Sequence, residues 1–157
     1  MLDYKTKIMN VIRVTKIFNF EIAHALYNYD GLCRNIHGHS YKMYVTVSGT
    51  PLKSNNNPKD GMVIDFSEFK SIIKKHIVDK FDHSLFLNKN EDSDNLINQQ
   101  MFKRLFIFDF QPTCENMIIH FAEIIKTVLP HNLKLLSVRL HETDNNYAEW
   151  YSSDQIY

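Results

Sequence analysis

The sequence predicts an α+β chain in the order strand–strand–helix–helix–strand–strand. Both ends alternate polar and apolar residues with a period of two, as half-buried strands do. Between them lie two apolar stripes at helical spacing. Stretches rich in Gly, Pro and Asn separate these segments and act as loops. At 157 residues, 44% apolar and 13% aromatic, the chain is long enough to bury the core of one domain. Residues 1–157 are therefore read as a single domain, with 1–10 an N-terminal extension and 151–157 a C-terminal tail.

The first strand runs from Ile12 to His24, with Ile12, Val14, Lys16, Phe18, Phe20, Ile22 and His24 on one face. Tyr27 to Ile36 holds Asn28, Asp30, Gly31 and Asn35 and reads as loop. A second strand follows, with His37, His39, Tyr41, Met43, Val45 and Val47 on one side. The two are expected to pair antiparallel, through a turn near residues 50–60 within Gly49–Gly61.

"DFSEFKSIIKKHIVDKF" predicts a helix capped by Asp65, with Glu68 as capping-box partner and Phe66, Phe69, Ile72, Ile73 and Ile77 as its apolar stripe. Phe81 to Asn95 reads mostly as loop, while "RLFIFDF" is able to add a minor strand. "PTCENMIIHFAEIIKTVLP" predicts the second helix, capped by Thr113, with Glu115 in its first turn and Pro130 at its end. Leu136, Val138, Leu140 and Glu142 share one face of a third strand, and "NYAEWY" forms a fourth.

Composition narrows the function. Lys plus Arg and Asp plus Glu both number 18, so no basic excess exists to attract nucleic acid. "MLDYKTKIMN" lacks the apolar core of a secretory signal, and no run approaches the roughly 18 apolar residues of a membrane span. With Cys33 and Cys114 its only cysteines, the chain is expected to be cytoplasmic.

Polar residues that interrupt the apolar rows are the candidates for chemistry. His37 and His39, at i and i+2, point to one side of their strand, and His24 ends the neighbouring row. Three converging imidazoles leave a fourth position open, as at a catalytic zinc; the plainer reading is three satisfied core histidines. Cys33 sits in a polar loop beside Arg34, a setting that favours thiolate, although a small buried hydrophobe is the ordinary role of a lone cysteine. Asp82 next to His83 suits an acid–base relay, or is a surface turn. Glu142 continues an interior row, so its carboxylate needs a partner. That partner is either a ligand edge with two N–H donors or an internal cation such as Arg139 or Arg34.

In order, "FEIAHAL", C-x-x-x-H-G-H-S-Y, "GMVIDFSEFK", "FDHSLFLN", "PTCEN" and "HET" resemble the family of 6-pyruvoyltetrahydropterin and 6-carboxytetrahydropterin synthases, from Phe20 to Thr143. The resemblance implies Zn2+ held by His24, His37 and His39, catalysis by Cys33 with Asp82 and His83, and a pterin ring anchored by Glu142 beside Thr113 and Glu115. Cys114 stands where many members carry Thr or Ser. Three residues, Arg34 to Ile36, separate Cys33 from H-G-H, which resembles the bacterial carboxy branch of queuosine biosynthesis.

The implied substrate is 7,8-dihydroneopterin triphosphate, and the implied products are 6-carboxytetrahydropterin, acetaldehyde and triphosphate. The alternatives are a pyruvoyl synthase or a non-catalytic metal-binding domain. The implied fold is the tunnelling fold, an antiparallel four-stranded sheet with two helices on one face. It assembles into barrels as a homo-oligomer, a trimer or a hexameric dimer of trimers, with active sites between subunits.

Overall fold

The structure, a computed structural model, describes residues 10–90, 93 and 102–155. Residues 1–9 of the expected extension and 156–157 of the tail lie outside it, as do 91, 92, 94 and 95 of the expected loop. One six-stranded sheet has the order β4-β3-β1-β2-β5-β6. Its strands are β1 (Ile12–His24), β2 (His37–Gly49), β3 (Ser84–Asn88), β4 (Leu105–Phe108), β5 (Lys134–His141) and β6 (Tyr147–Tyr151). Among the described residues, the two longest helices are α1 (Phe66–Ile73) and α2 (Cys114–Val128).

β1 and β2 have the expected bounds and pair antiparallel from Ile12↔Gly49 to His24↔His37. The expected turn near 50–60 does not join them. That role falls to residues 25–36, because an antiparallel partner must start where the first strand stops, and the segment after Gly49 leads to α1 instead.

The sheet exceeds the expected four antiparallel strands by β4, the minor strand expected at "RLFIFDF", and by β3, which falls in the expected loop. β3 lies parallel to β1 over Ile22–His24, and β4 lies parallel to β3. Ser84, Leu85, Phe86 and Leu87 are all buried, so β3 shows none of the alternation that marks a strand with one wet face.

α1 starts at Asp65, whose carboxylate accepts the Ser67 N–H. Glu68 does not complete a capping box; its Oε2 accepts from Lys59 Nζ at 2.7 Å. Phe66 is exposed rather than core, whereas Phe69 and Ile73 are buried. The helical path continues through a π turn, Lys74–Val78, and a last α turn, Asp79–Phe81, which bury Ile77 and Phe81. α2 is capped by Thr113 and buries Met117, Ile118, Phe121, Ala122 and Ile125.

Both helices cover one sheet face, where Phe18, Phe20, Tyr41, Met43, Val45, Val138, Leu140 and Trp150 meet Phe69, Ile73, Phe81 and Phe121. The β2–β5 register shifts between Thr46 and Val47 of β2, leaving Leu136 of β5 as the extra residue. Leu135, not Leu136, therefore takes the core place, while Val138 and Leu140 keep the expected face.

Candidate metal and substrate site

The core rows of β1 and β2 end in histidine beside the 25–36 loop. His24 faces His37 directly across the ladder, and His39 follows on the same side of β2. One nitrogen from each ring lies within 4.8 Å of the others. His24, only 2% exposed, donates from Nδ1 to the Pro112 carbonyl at 2.7 Å. His37 Nδ1 donates likewise to the Asn35 carbonyl at 2.8 Å.

These bonds assign the proton to Nδ1 and turn the Nε2 lone pair toward the centre. Nε2 of His24 and of His39 are buried without a hydrogen-bond partner. Leaving such groups open is costly, and a divalent transition metal would satisfy them. Imidazoles whose second nitrogen is held by a carbonyl are the ligand type such a metal takes, so the residues fit one. Burial lowers the His24 pKa, more than the Pro112 bond and the Glu142 charge raise it. That favours the neutral ring, the form that binds metal.

Glu142 enters just past β5, where its N–H is bonded to the Asn146 carbonyl across the turn to β6. Its Oε1 lies 3.5 Å from His24 Nε2 and 3.8 Å from His39 Nε2. The same oxygen accepts from the Tyr41 hydroxyl at 3.3 Å. Burial and then the Glu142 charge raise the Tyr41 pKa far above its usual value, so the hydroxyl remains a donor. The alternative partner Arg139 is engaged elsewhere, its Nε 2.7 Å from Glu149 Oε1 on the opposite sheet face.

Cys33 lies half-buried in a single 3-10 turn, Leu32–Arg34. With His24, Thr113, Cys114, Glu115 and Glu142 it lines a cavity of about 230 Å³. That is below the roughly 300–1,000 Å³ of clefts that enclose drug-sized ligands. The Thr113 hydroxyl is occupied as the cap, accepting the Asn116 N–H at 3.3 Å. The Cys114 thiol is pushed up to about 12, chiefly by burial, and donates to the Leu140 carbonyl at 3.3 Å. It therefore stays a protonated thiol at neutral pH, and Cys33 is the better candidate for reaction.

The Asp82–His83 pair does not line this cavity. His83 instead lines one of about 570 Å³ with Glu21, Ala23, Gly38 and Arg104. Ile22 and His39 line it too, so this cavity adjoins the histidine cluster through His39. Asp82 Oδ1 lies 3.0 Å from His83 Nδ1 and accepts the Glu21 N–H at 2.8 Å. Burial raises the Asp82 pKa, but the bonds from Glu21 and His83 together outweigh it and lower it. His83 adopts φ 57, in the left-handed region, and its N–H closes the clasp on the Glu21 carbonyl at 2.7 Å. A non-glycine residue held there is uncommon away from turns and functional sites.

Sequence reasoning missed Pro112, Tyr41 and Gln111. Pro112 acts through a carbonyl, which no residue type betrays. Tyr41 continues the row of His37 and His39, and that position was the available signal. Gln111 reaches the 25–36 loop with its side chain, accepting the Tyr27 N–H at 3.0 Å.

Residues 13–153 match the family described as 6-pyruvoyl tetrahydropterin synthase. The chain is 37% identical over 145 residues to the 6-carboxy-5,6,7,8-tetrahydropterin synthase of Haemophilus influenzae, covering 89% of this chain and 99% of that one. It is 30% identical over 146 residues to the 6-pyruvoyl tetrahydrobiopterin synthase of Homo sapiens, covering 85% and 87%. The solved structure of Caenorhabditis elegans 6-pyruvoyl tetrahydropterin synthase superposes with a TM-score of 0.66 at 24% identity, covering 92% of this chain and 97% of that one. The histidine cluster and its cavity thus sit on a sheet and two helices shared with these structures, and the chain belongs to the 6-pyruvoyl tetrahydropterin synthase family.

Proposed function

We propose that the chain is a zinc-dependent 6-carboxy-5,6,7,8-tetrahydropterin synthase, a carbon–carbon and carbon–oxygen lyase acting on 7,8-dihydroneopterin triphosphate in queuosine biosynthesis. The observation that carries this reading is the convergence of His24, His37 and His39 within 4.8 Å of one another, with His24, Cys33 and Glu142 lining one small cavity. The similarity to the Haemophilus influenzae protein and the three-residue spacer after Cys33 support the carboxy branch.

Bound to the three histidines, zinc would supply a Lewis acid toward the substrate's side-chain oxygens. Glu142 would accept two N–H donors from the pterin edge, and the Tyr41 hydroxyl fixes the carboxylate that does so. Cys33 would take a proton from the three-carbon side chain. His83, oriented by Asp82, is its acid–base partner, supplied by a neighbouring copy because within one chain His83 and Cys33 line different cavities. Thr113 and Glu115 border the ring.

The overall change breaks a C–O bond to release triphosphate and a C–C bond to release acetaldehyde, and takes up one water. Reduction of the ring is balanced by oxidation of the side chain, so no redox cofactor is consumed. The protein acts in the cytoplasm as a homo-oligomer, a trimer or a dimer of trimers.

Incubation with 7,8-dihydroneopterin triphosphate tests the reading, with acetaldehyde measured as product. The wild type should release it, and Cys33→Ala should lose at least about a hundredfold in turnover while retaining its zinc. A pyruvoyl pterin without acetaldehyde would move the protein to the other branch, and no pterin turnover would leave a metal-binding domain.

A further inference from the structure

Cys33 depends on a loop with little else to hold it. In the 25–36 segment Leu32 is 87% exposed, Ile36 52% and Tyr29 45%, and the 3-10 turn around Cys33 buries no residue. Its internal bonds are local, from the Leu26 N–H to the Cys33 carbonyl at 2.9 Å and from the Asn35 N–H to the Leu32 carbonyl at 3.0 Å.

Among the described residues, the hydrogen bonds between this loop and a distant part of the chain come from Gln111. Its Oε1 accepts the Tyr27 N–H at 3.0 Å, and its Nε2 donates to the Tyr27 carbonyl at 2.5 Å. A side-chain amide thus bonds both backbone groups of one residue, as a strand neighbour would.

Gln111 is itself fixed. Its carbonyl accepts the Thr113 N–H at 2.8 Å and Asn116 Nδ2 at 2.9 Å, which ties it to the start of α2. The next carbonyl, that of Pro112, holds His24. One short segment therefore sets both a candidate ligand, through its backbone, and the cysteine loop, through a side chain.

We infer that Gln111 is the positioning residue for Cys33, which it acts on through Tyr27 and the Leu26–Cys33 bond. The inference rests on the proposed role of Cys33 in pterin turnover. Gln111 touches no reacting atom; it limits where the thiol can sit. Misplacing a reacting group by about 1 Å is enough to cost roughly 100-fold in rate.

The test uses the full-length zinc protein. Gln111→Met keeps the length of the side chain and removes both bonds. Gln111→Glu keeps the acceptor for the Tyr27 N–H and places a second oxygen against the Tyr27 carbonyl. Both variants should lose roughly 10- to 100-fold in kcat, with KM changed less than about threefold. Zinc content should be unchanged, because the Pro112 carbonyl remains in place.

Backbone amide exchange should quicken at Leu26 and Tyr27 and stay as in the wild type along α2. Iodoacetamide labelling of Cys33, followed by peptide mass, should change in rate while that of Cys114 does not. Wild-type kcat in either soluble variant overturns the inference, as does unchanged exchange at Leu26 and Tyr27. If the wild type itself does not turn over the pterin, the functional reading falls, and the exchange and labelling results still decide whether Gln111 holds the loop.

Discussion

His24 closes an apolar row with a nitrogen that nothing in the described protein satisfies. That made it legible: a polar residue at a core position, two strands' ends apart from another pair, breaks a pattern that is otherwise apolar. Glu142 was legible for the same reason, and the structure brings it within 3.8 Å of two histidines. The groups that hold these side chains were not legible. The Pro112 and Asn35 carbonyls are present whatever the residue type, and only the folded path aims them at His24 and His37. If the proposed zinc is held by this cluster, His37→Ala should remove it from the purified protein, measured by elemental analysis. The loss of affinity should exceed the roughly 10- to 100-fold typical of losing an outer-shell partner. Full occupancy in that variant would remove His37 from the ligand set.

At the level of elements, β1 and β2 were readable residue by residue because each has one wet and one dry face. β3 was not, because Ser84 to Leu87 are all buried. Leu135 and Leu136 could not be told apart, since a bulge moves the period by one without leaving a turn residue as a mark.

α2 carries a second titratable group in an apolar setting. The His120 ring packs 5.1 Å from Phe108, 5.7 Å from Phe110, 5.9 Å from Phe81 and 6.2 Å from Phe121. Burial lowers its pKa from the ordinary 6.5, and the Lys80 charge adds to this. The unfolded chain then binds the proton more readily than the folded one, so stability is lost as pH falls through 6.5 toward the lower folded value. His120→Leu in the metal-free protein should flatten the fall in Tm between about pH 7 and pH 5. An unchanged slope by scanning calorimetry would show that His120 does not contribute to it.

For the molecule as a whole, the resemblance carried more than the pattern of residues could. One strand, β3, was missing from the expectation of four strands and a minor one, and assembly has no signature in apolar periodicity. The described structure does leave edges. β3 covers β1 only at Ile22–His24, so Ile12–Glu21 has a partner on one side alone among the described residues, and β6 ends the sheet at the other side. Open edges of this length invite pairing with another chain. If Cys33 and His83 meet across copies, Cys33→Ala and His83→Ala should each be inactive alone. Subunits of the two variants, dissociated and reassembled together, should regain about a quarter of wild-type turnover, as random placement in a closed ring gives. No recovery in mixed oligomers would put both groups in the same chain.

The pairing of His24 with His37 across the ladder also bears on how the hairpin finds its alignment. A slip of one residue between β1 and β2 would carry His37 and His39 to the wet face and part them from His24. An ion gripping all three can do so in one alignment only. It would therefore proofread the strand pairing as well as serve the reaction, favouring the one hairpin in which the Phe18, Phe20 and Ile22 row meets the Tyr41 and Met43 row.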